Sequence, residues 1–262
     1  MKSQAVIIYM LAGFTFLLNS CKKEGMSPNI IPSYQLSYGD SIFYINNQSS
    51  DYLISPVNAK AGTYSSFPEG LRMDNATGTI NISKSEAGMK YKISFVSSTG
   101  DSSHTYIIIS GINFPDKYYR LANSDSVAFP VYNANPAISL PPGNFDEDKT
   151  ANSSGCAMKT NNGQINLMES IRNRLFGQTP QNNTKKGFDV LYRLDDKSGK
   201  ALNKISILIY YFDTMNDVTP DLAQTMIDHQ IMTLQPNNAP MATGTIQTAS
   251  KPRPPCIVII GH

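Results

Sequence analysis

Residues 90–110 constrain the fold more tightly than any other stretch of the chain. They open with KYKISFV, in which Tyr91, Ile93 and Phe95 alternate with polar residues, and continue through STGDSS to HTYIIIS. Alternation with a period of two is typical of a half-buried strand, and turn residues between two such segments indicate a β-hairpin. Short strands separated by turns recur over residues 34–110, which favours a β-sandwich.

The segment before and within this hairpin carries an ordered motif. It reads P-x-G-L-x-hydrophobic-D-x-x-T-G-x-I, then a small-residue turn with glycine, then the alternating strands. The matching positions are Pro68, Gly70, Leu71, Met73, Asp74, Thr77, Gly78, Ile80, Gly88, Tyr91 and Ile93. This pattern resembles the Ig-like and cadherin-like domains of bacterial surface and exported proteins. The resemblance implies an Ig/cadherin-like β-sandwich over residues 34–112 that acts as a spacer or a binding module.

Residues 74–78 predict a tight turn within this motif. Asp74 can accept backbone N–H bonds, and Gly78 can adopt the positive φ that such a turn requires. In true cadherins an aspartate can also bind calcium. The short runs of several acidic residues used there are missing from this sequence. Turn capping is the interpretation favoured for Asp74.

Residues 113–262 predict an α+β domain of no recognised family. Residues 164–177 place Ile165, Met168, Ile171 and Leu175 at helical spacing. A strand is expected at SVAFPVYN, with Pro130 marking an edge or bulge. The long polar stretch at 133–163 is expected to be functional or disordered.

Further along, GFDVLYRL and KISILIYYF predict a second hairpin. Thr219 is a plausible N-cap with Pro220 at the first helical position, and CIVII predicts a buried strand. The order helix, strand, strand, helix, strand would give a split β-α-β-β-α-β arrangement if a strand near 127–132 or 155–160 precedes it.

The N-terminal segment, up to residue 33, predicts where the protein is delivered. Lys2 precedes an apolar run from Ala5 to Leu18. This run is shorter than the roughly 20 residues of a comfortable membrane span. The order favours a signal peptide over residues 1–20, with a short membrane anchor as the alternative. No later segment approaches spanning length.

Leu18-Asn19-Ser20-Cys21 resembles the lipobox of bacterial lipoproteins. The resemblance implies that Cys21 becomes the lipidated N-terminus, that residues 21–33 form a tether, and that the chain's membrane partner is reached through Cys21. Several acyl chains, at about 0.8 kcal/mol per buried CH₂, would hold the protein on a bilayer. We therefore expect an outer-membrane lipoprotein, with the periplasmic and cell-surface faces both left open.

Three short segments resemble the O-glycosylation sequon of exported Bacteroidetes proteins. They begin at Asp40, Asp125 and Asp213, each followed by serine or threonine and then an apolar residue. They agree with an exported lipoprotein of that phylum.

Two cysteines remain beyond the tether, Cys156 and Cys256. An exported compartment permits a disulfide between them, which would close a loop of about 100 residues and contribute roughly 4–5 kcal/mol before strain. Two free, buried thiols are the equal alternative.

The sequence contains no recognised catalytic, metal or cofactor motif. His104, His229 and His262 are isolated, and neither H-E-x-x-H nor C-x-x-C occurs. His229 is expected at a surface or boundary position of its helix. A nucleophile–base pair of Cys156 with His229 has no local support.

The acidic cluster Asp146-Glu147-Asp148 is the one candidate for chemistry. Paired carboxylates can bind calcium or hydrolyse glycosides. The cluster lacks calcium-loop spacing, so a solvated loop is the favoured interpretation.

Composition excludes some partners. Charged residues make up 16% of the chain and the net charge is +2. The composition therefore gives no sign of a basic face that would bind nucleic acid.

We expect a non-catalytic binding or adhesion module of the cell envelope, with a glycan or an envelope protein as partner. An exposed aromatic patch would favour it, with candidates Tyr118, Tyr119, Tyr132, Tyr210 and Tyr211. The alternatives are a hydrolase using residues 146–148 and a structural subunit of an outer-membrane assembly.

Overall fold

The computed structural model describes residues 34–234 and 253–262. The predicted signal peptide over 1–20, the tether over 21–33 and the predicted lipidation site Cys21 lie outside the described residues. Within the described ranges, none of the helices combines the length and the apolar character that crossing a membrane requires.

The N-terminal part is built from two small sheets. Its strands are β1 (Ile42–Phe43), β2 (Leu53–Ile54), β3 (Gly62–Phe67), β4 (Ile80–Asn81), β5 (Met89–Ser97) and β6 (Ser102–Ile109). One sheet has the order β1-β6-β5-β3 and the other pairs β2 with β4. β1 runs parallel to β6, whereas β5 is antiparallel to both β3 and β6. The prediction of a mainly β, sandwich-like N-terminal half is confirmed.

The hairpin predicted over residues 90–110 forms with the predicted inward face. Tyr91 lies opposite Ile107 in the β5–β6 register. The side chains of Tyr91, Ile93 and Phe95 are at most 1% exposed, and the residues between them are half-buried. Burial of each such side chain stabilises the sheet by about 1.5–3 kcal/mol.

The turn predicted at 74–78 is also present. Asp74 Oδ1 accepts the backbone N–H of Ala76 at 2.8 Å and of Thr77 at 2.9 Å. Gly78 has φ +72°, and a Cβ there would lie 2.7 Å from the ring of Tyr64. Glycine is therefore required for both the backbone conformation and the space.

The C-terminal part adds ten strands and three α-helices among the described residues. The strands are β7 (Ile112–Asn113), β8 (Lys117–Arg120), β9 (Val127–Ala128), β10 (Val131–Tyr132), β11 (Gly143–Phe145), β12 (Ala157–Met158), β13 (Ile165–Asn166), β14 (Thr184–Leu194), β15 (Asn203–Phe212) and β16 (Cys256–Ile260). The helices are α1 (Thr150–Ser153), α2 (Leu167–Arg172) and α3 (Pro220–Leu234), and 3-10 turns occupy Leu121–Asn123 and Met215–Asp217. A further 3-10 turn, Ile82–Lys84, lies in the N-terminal part.

A five-stranded sheet of order β11-β14-β15-β16-β8 dominates this part. β14 and β15 form the predicted antiparallel hairpin, and β16 pairs parallel with both β15 and β8. The possible split β-α-β-β-α-β topology is wrong. The chain returns from α3 directly beside β15, whereas a split arrangement places another strand between the two. The strands at 127–132 and 157–158 belong to smaller sheets, β12-β13-β9 and β10-β7.

β16 is buried on both faces of this sheet. Ile257 and Ile259 belong to the large apolar cluster of the C-terminal part. Cys256, Val258 and Ile260 face a smaller cluster that includes Phe212 and, from α3, Leu222 and Met226. A strand covered on both sides requires a continuous apolar run, which is what the sequence CIVII supplies.

Two of the predicted elements differ in extent from the structure: one helix is shorter, and one strand is divided in two. The helix predicted within 164–177 spans only six residues, because Ile165 pairs in β13 and the Asn166 side chain accepts the Glu169 N–H as an N-cap at 3.0 Å. The strand predicted around Pro130 is split into β9 and β10, since proline cannot donate to a ladder. The stretch at 133–163 contains β11, α1 and β12, so it is not disordered.

The described part of residues 34–262 forms one compact unit. One apolar cluster draws on residues 34–109 and another on 112–259. Arg253 spans the two parts by donating to the carbonyl oxygens of Ala87 and, at 2.8 Å, of Ile112. The domain boundary between 112 and 113 remains a prediction.

Candidate functional site

The two cysteines beyond the tether are both free and both buried. Cys156 belongs to the large cluster on one side of the five-stranded sheet, and Cys256 belongs to the small cluster beneath α3. The possible Cys156–Cys256 disulfide is therefore not formed in this structure, because the two thiols belong to separate cores. Burial raises the pKa of each thiol to about 12, and a nearby carboxylate adds to the rise.

The acidic residues 146–148 serve the local fold. Asp146 is 1% exposed and accepts the N–H groups of Ala151 and Asn152 at 2.9 Å each, at the start of α1. Glu147 is paired with Arg193 at 2.9 Å, and Asp148 accepts the Thr150 hydroxyl at 2.7 Å. Each of the three carboxylates therefore has a partner in the local fold, and the hydrolase alternative stays a prediction.

The tyrosines expected on an exposed patch are largely internal. Tyr119, Tyr132 and Tyr211 are buried, and Tyr118 and Tyr210 are half-buried against the small cluster beneath α3. The predicted patch is wrong in this form. Four of the tyrosines alternate between the two faces of the five-stranded sheet, and Tyr132 packs into the large apolar cluster from a separate sheet.

The sequon residues occupy different settings. Ser41 is exposed, whereas Thr214 donates its hydroxyl to Asp217 at 2.6 Å as part of a capping box. Their modification remains a prediction.

A surface cleft lies where β1 meets the turn between β14 and β15. It has a volume of about 280 Å³. This is close to the lower end of the roughly 300–1,000 Å³ typical of small-molecule sites. Its lining residues are Asp40, Ser41, Ile42, Phe43, Tyr44, Asn46, Tyr52 and Lys197. We call this the β1 cleft.

The floor of the β1 cleft is held by the fold. Phe43 is buried in the sandwich core, Tyr44 and Tyr52 are half-buried, and Tyr52 packs against that core. Tyr52 is fixed through its N–H, which donates to Ser83 Oγ at 2.9 Å. Both tyrosines line the cleft without being fully buried in the core.

One wall of the β1 cleft carries a fixed negative charge. Asp40 Oδ1 accepts the N–H of Ser41 at 2.6 Å and of Ile42 at 3.3 Å. These backbone bonds, with a smaller contribution from Lys197, lower the pKa of the Asp40 carboxyl. The group is ionised at neutral pH and is oriented by the chain itself.

The opposite wall is the turn that carries Lys197. Asp196 Oδ2 accepts the Tyr132 hydroxyl at 2.8 Å, and Asp196 Oδ1 accepts the Ser198 N–H at 2.9 Å. In its donating orientation, the Asn46 amide lies 3.2 Å from the carbonyl oxygens of Lys197 and Ser198. These contacts place the exposed Lys197 beside the end of β1.

The β1 cleft combines apolar and polar side chains. Its eight described lining residues combine partly exposed aromatic rings with a hydroxyl, an amide, a carboxylate and an ammonium group. They include a single carboxylate and neither histidine nor cysteine. The paired acids of a glycosidase are therefore absent from this lining.

A second cluster of chemically capable residues is buried under α3. His229 is 3% exposed, and its Nδ1 lies 2.9 Å from Asp116 Oδ1. The same oxygen accepts the Cys256 N–H at 2.7 Å. The prediction that His229 lies at a surface or boundary is wrong, because α3 packs the face bearing Leu222, Met226 and His229 against the sheet.

Sequence reasoning missed Tyr44, Tyr52 and Asp116. Nothing local distinguishes the two tyrosines from other strand residues. For His229 a signal did exist, since it follows Leu222 by seven positions and Met226 by three, the spacing of one helix face.

Comparisons with known proteins identify no family for this chain. No family model matches, and no curated protein matches. Among solved structures, cadherin domains 1–4 of protocadherin gamma B7 match at 10% identity and TM-score 0.22, over 69% of this chain and 51% of that one. This chain thus spans about half the length of that protein's structure.

Two further solved structures match in the same weak range. Domains EC1–3 of mouse clustered protocadherin gamma C3 match at 8% identity and TM-score 0.20, over 69% of this chain and 68% of that one. A SusE-like surface-located polysaccharide-binding protein from the heparin utilisation locus of Bacteroides thetaiotaomicron matches at 12% identity and TM-score 0.24, over 70% and 35%. Matches with TM-scores this low carry no argument about fold or function.

Proposed function

We propose that this protein is a lipid-anchored, non-catalytic binding module of the bacterial envelope that holds a glycan in the β1 cleft. The observation that carries the proposal is the composition of the cleft, in which two half-buried tyrosines lie beside an oriented carboxylate and an exposed lysine.

Sugars suit this combination of groups. A pyranose ring presents an apolar C–H face that packs on aromatic rings, and a rim of hydroxyls that donate and accept hydrogen bonds. Tyr44 and Tyr52 offer the first type of contact, and Asp40, Asn46 and Lys197 offer the second. The volume of about 280 Å³ suits a single sugar unit of a longer chain, with the rest lying outside.

The anchoring part of the proposal rests on the N-terminal sequence. Cys21 would carry the lipid, and residues 21–33 would separate the folded body from the membrane. Replacing Cys21 with alanine should release the protein from the membrane fraction. Membrane retention of the Cys21→Ala variant would contradict the anchor.

Binding can be tested with the detergent-solubilised full-length protein on a panel of neutral, acidic and sulfated polysaccharides. We expect Tyr52→Ala to weaken binding at least about fivefold, the loss of one contact worth about 1 kcal/mol. Tyr106→Ala is the matched control, because Tyr106 is half-buried on β6 and does not line the cleft.

A lysine pair tests the opposite wall. Lys197→Ala should weaken binding, whereas Lys200→Ala, in the same turn but outside the lining, should leave it unchanged. Binding lost equally in both variants, or no binding to any polysaccharide, would reject the cleft as a glycan site.

The side of the outer membrane on which the protein lies determines which glycans it can meet. Protease added to intact cells should cut a surface-exposed protein, with lysed cells as the control. Protection until lysis would reject an adhesive role and favour a partner inside the envelope.

A further inference from the structure

Three ligating side chains from distant parts of the chain meet under α3. Asp116 immediately precedes β8, His229 lies on α3, and Cys256 begins β16. One ligand atom from each side chain lies within 4.8 Å of the other two. All three residues are buried, with exposed fractions of 7%, 3% and 2%.

Contacts of the sheet and of α3 hold these three side chains together. β16 pairs with β8 in a register that places Ile257 opposite Lys117, so Asp116 and Cys256 lie side by side at the start of the two strands. Gln230 Nε2 also donates to the Asp116 carbonyl at 3.2 Å, which holds α3 against this point. The positions are set by the backbone and not by flexible surface loops.

Burying these three side chains costs free energy unless their polar groups have partners. Removing a carboxylate from water is unfavourable without strong partners. Here the Asp116 carboxylate lies 2.9 Å from His229 Nδ1 and accepts the Cys256 N–H at 2.7 Å, and Cys256 itself belongs to the apolar cluster beneath α3. A cation bound beside the carboxylate would add to these contacts in offsetting its desolvation.

The donor set selects the kind of ion. Imidazole nitrogen, thiolate sulfur and carboxylate oxygen together are the ligands of Zn²⁺ and related divalent transition metals, whereas Ca²⁺ and Mg²⁺ prefer oxygen alone. A thiolate and a carboxylate would also neutralise the two positive charges of such an ion, leaving a neutral complex in the interior.

The distances are compatible with that coordination. Tetrahedral bonds of about 2.0–2.3 Å place ligand atoms roughly 3.3–3.6 Å apart. The separation of 2.9 Å between His229 Nδ1 and Asp116 Oδ1 would therefore open slightly, and the widest pair would close.

We propose that Asp116, His229 and Cys256 form a binding site for one divalent transition-metal ion of the zinc type, which fastens α3 to the five-stranded sheet. Binding exchanges the thiol proton of Cys256 for the metal and releases that proton to solvent, with no change of oxidation state.

The test uses the reduced, chelator-treated full-length protein with Zn²⁺ and with Co²⁺ as a spectroscopic substitute. We expect one metal equivalent per chain by elemental analysis, a rise in melting temperature with Zn²⁺, and a thiolate-to-cobalt charge-transfer band with Co²⁺. Cys256→Ala should lose the band and weaken metal binding at least tenfold. His229→Gln should also weaken metal binding at least tenfold.

Cys156→Ala is the matched control, because it removes another buried thiol outside the cluster and should keep the band. Persistence of the band in Cys256→Ala, or its loss in Cys156→Ala alone, would overturn the proposal. If the variants do not fold, the wild-type protein still tests the site. The site is refuted if wild type binds no stoichiometric metal, or if it binds Co²⁺ without a thiolate band.

Discussion

His229 Nδ1 lies 2.9 Å from Asp116 Oδ1 although the two residues are 113 positions apart in the chain. Asp116 also accepts the N–H of Cys256, so one carboxylate oxygen joins a helix to the start of a strand. Removing that oxygen takes one contact from the buried His229 imidazole and one hydrogen bond from the buried Cys256 backbone N–H.

Asp116→Ala should therefore lower the free energy of unfolding of the metal-free protein by about 2–4 kcal/mol. Urea denaturation with chelator present measures this. Asp125→Ala is the control, since its ion pair with Lys117 is partly exposed. Such a surface pair contributes about 0–1 kcal/mol. Equal effects of the two changes would show that the buried network contributes no more than a surface pair.

The two buried thiols should resist alkylation in the folded, metal-free protein. The thiolate is the reactive form of cysteine. Burial raises the pKa of both Cys156 and Cys256 to about 12, so each is almost fully protonated in mildly alkaline buffer. Iodoacetamide followed by mass spectrometry should label neither residue in the folded chain and both in concentrated urea. Rapid labelling of either cysteine before unfolding would contradict its burial.

The Asp74 turn should make stability sensitive to acid. The N–H groups of Thr77 and Ala76 lower the pKa of the Asp74 carboxyl in the folded state. Its contribution is therefore present above the unfolded pKa of about 3.9 and is lost as pH falls through the lower folded value.

Asp74→Ala should lower the urea midpoint at about pH 7 and have a smaller effect at about pH 2, where the wild-type carboxyl approaches protonation. The neighbouring Asn75→Ala change controls for substitution in the same turn. An Asp74→Ala effect that does not shrink with acid would rule out the charge as the source of the stabilisation.

Gly88 should tolerate no side chain. It has φ +75°, and a Cβ there would lie 2.1 Å from the Ile112 carbonyl oxygen, where the two parts of the chain meet. Gly88→Ala should cost at least about 3 kcal/mol, because strain and overlap add.

Gly100→Ala separates these two causes. Gly100 has φ +90° in the β5–β6 turn, with open space around its Cβ position. Only the conformational cost of about 1–2 kcal/mol therefore applies there. Thermal or urea unfolding of both variants compares them, and a Gly100→Ala loss as large as that of Gly88→Ala would show that the overlap at Gly88 is relieved.

Local patterns determined the elements that depend on neighbours along the chain. The β5–β6 hairpin, the Asp74 turn, the β14–β15 hairpin and the start of α3 at Pro220 all follow from side chains a few positions apart. Alternation, backbone capping and the fixed φ of proline act over that distance, so the amino acids alone predict them.

Tertiary structure alone decided the strand order and both candidate sites. The position of β16 between β15 and β8 depends on pairing between strands from opposite ends of the C-terminal part, and a buried apolar run carries no record of its partner. The β1 cleft arises because Asp196 anchors a distant turn beside β1, and the cluster of Asp116, His229 and Cys256 arises because α3 closes over the start of two parallel strands. Such convergence is a property of packing in three dimensions, which spacing along one chain does not encode.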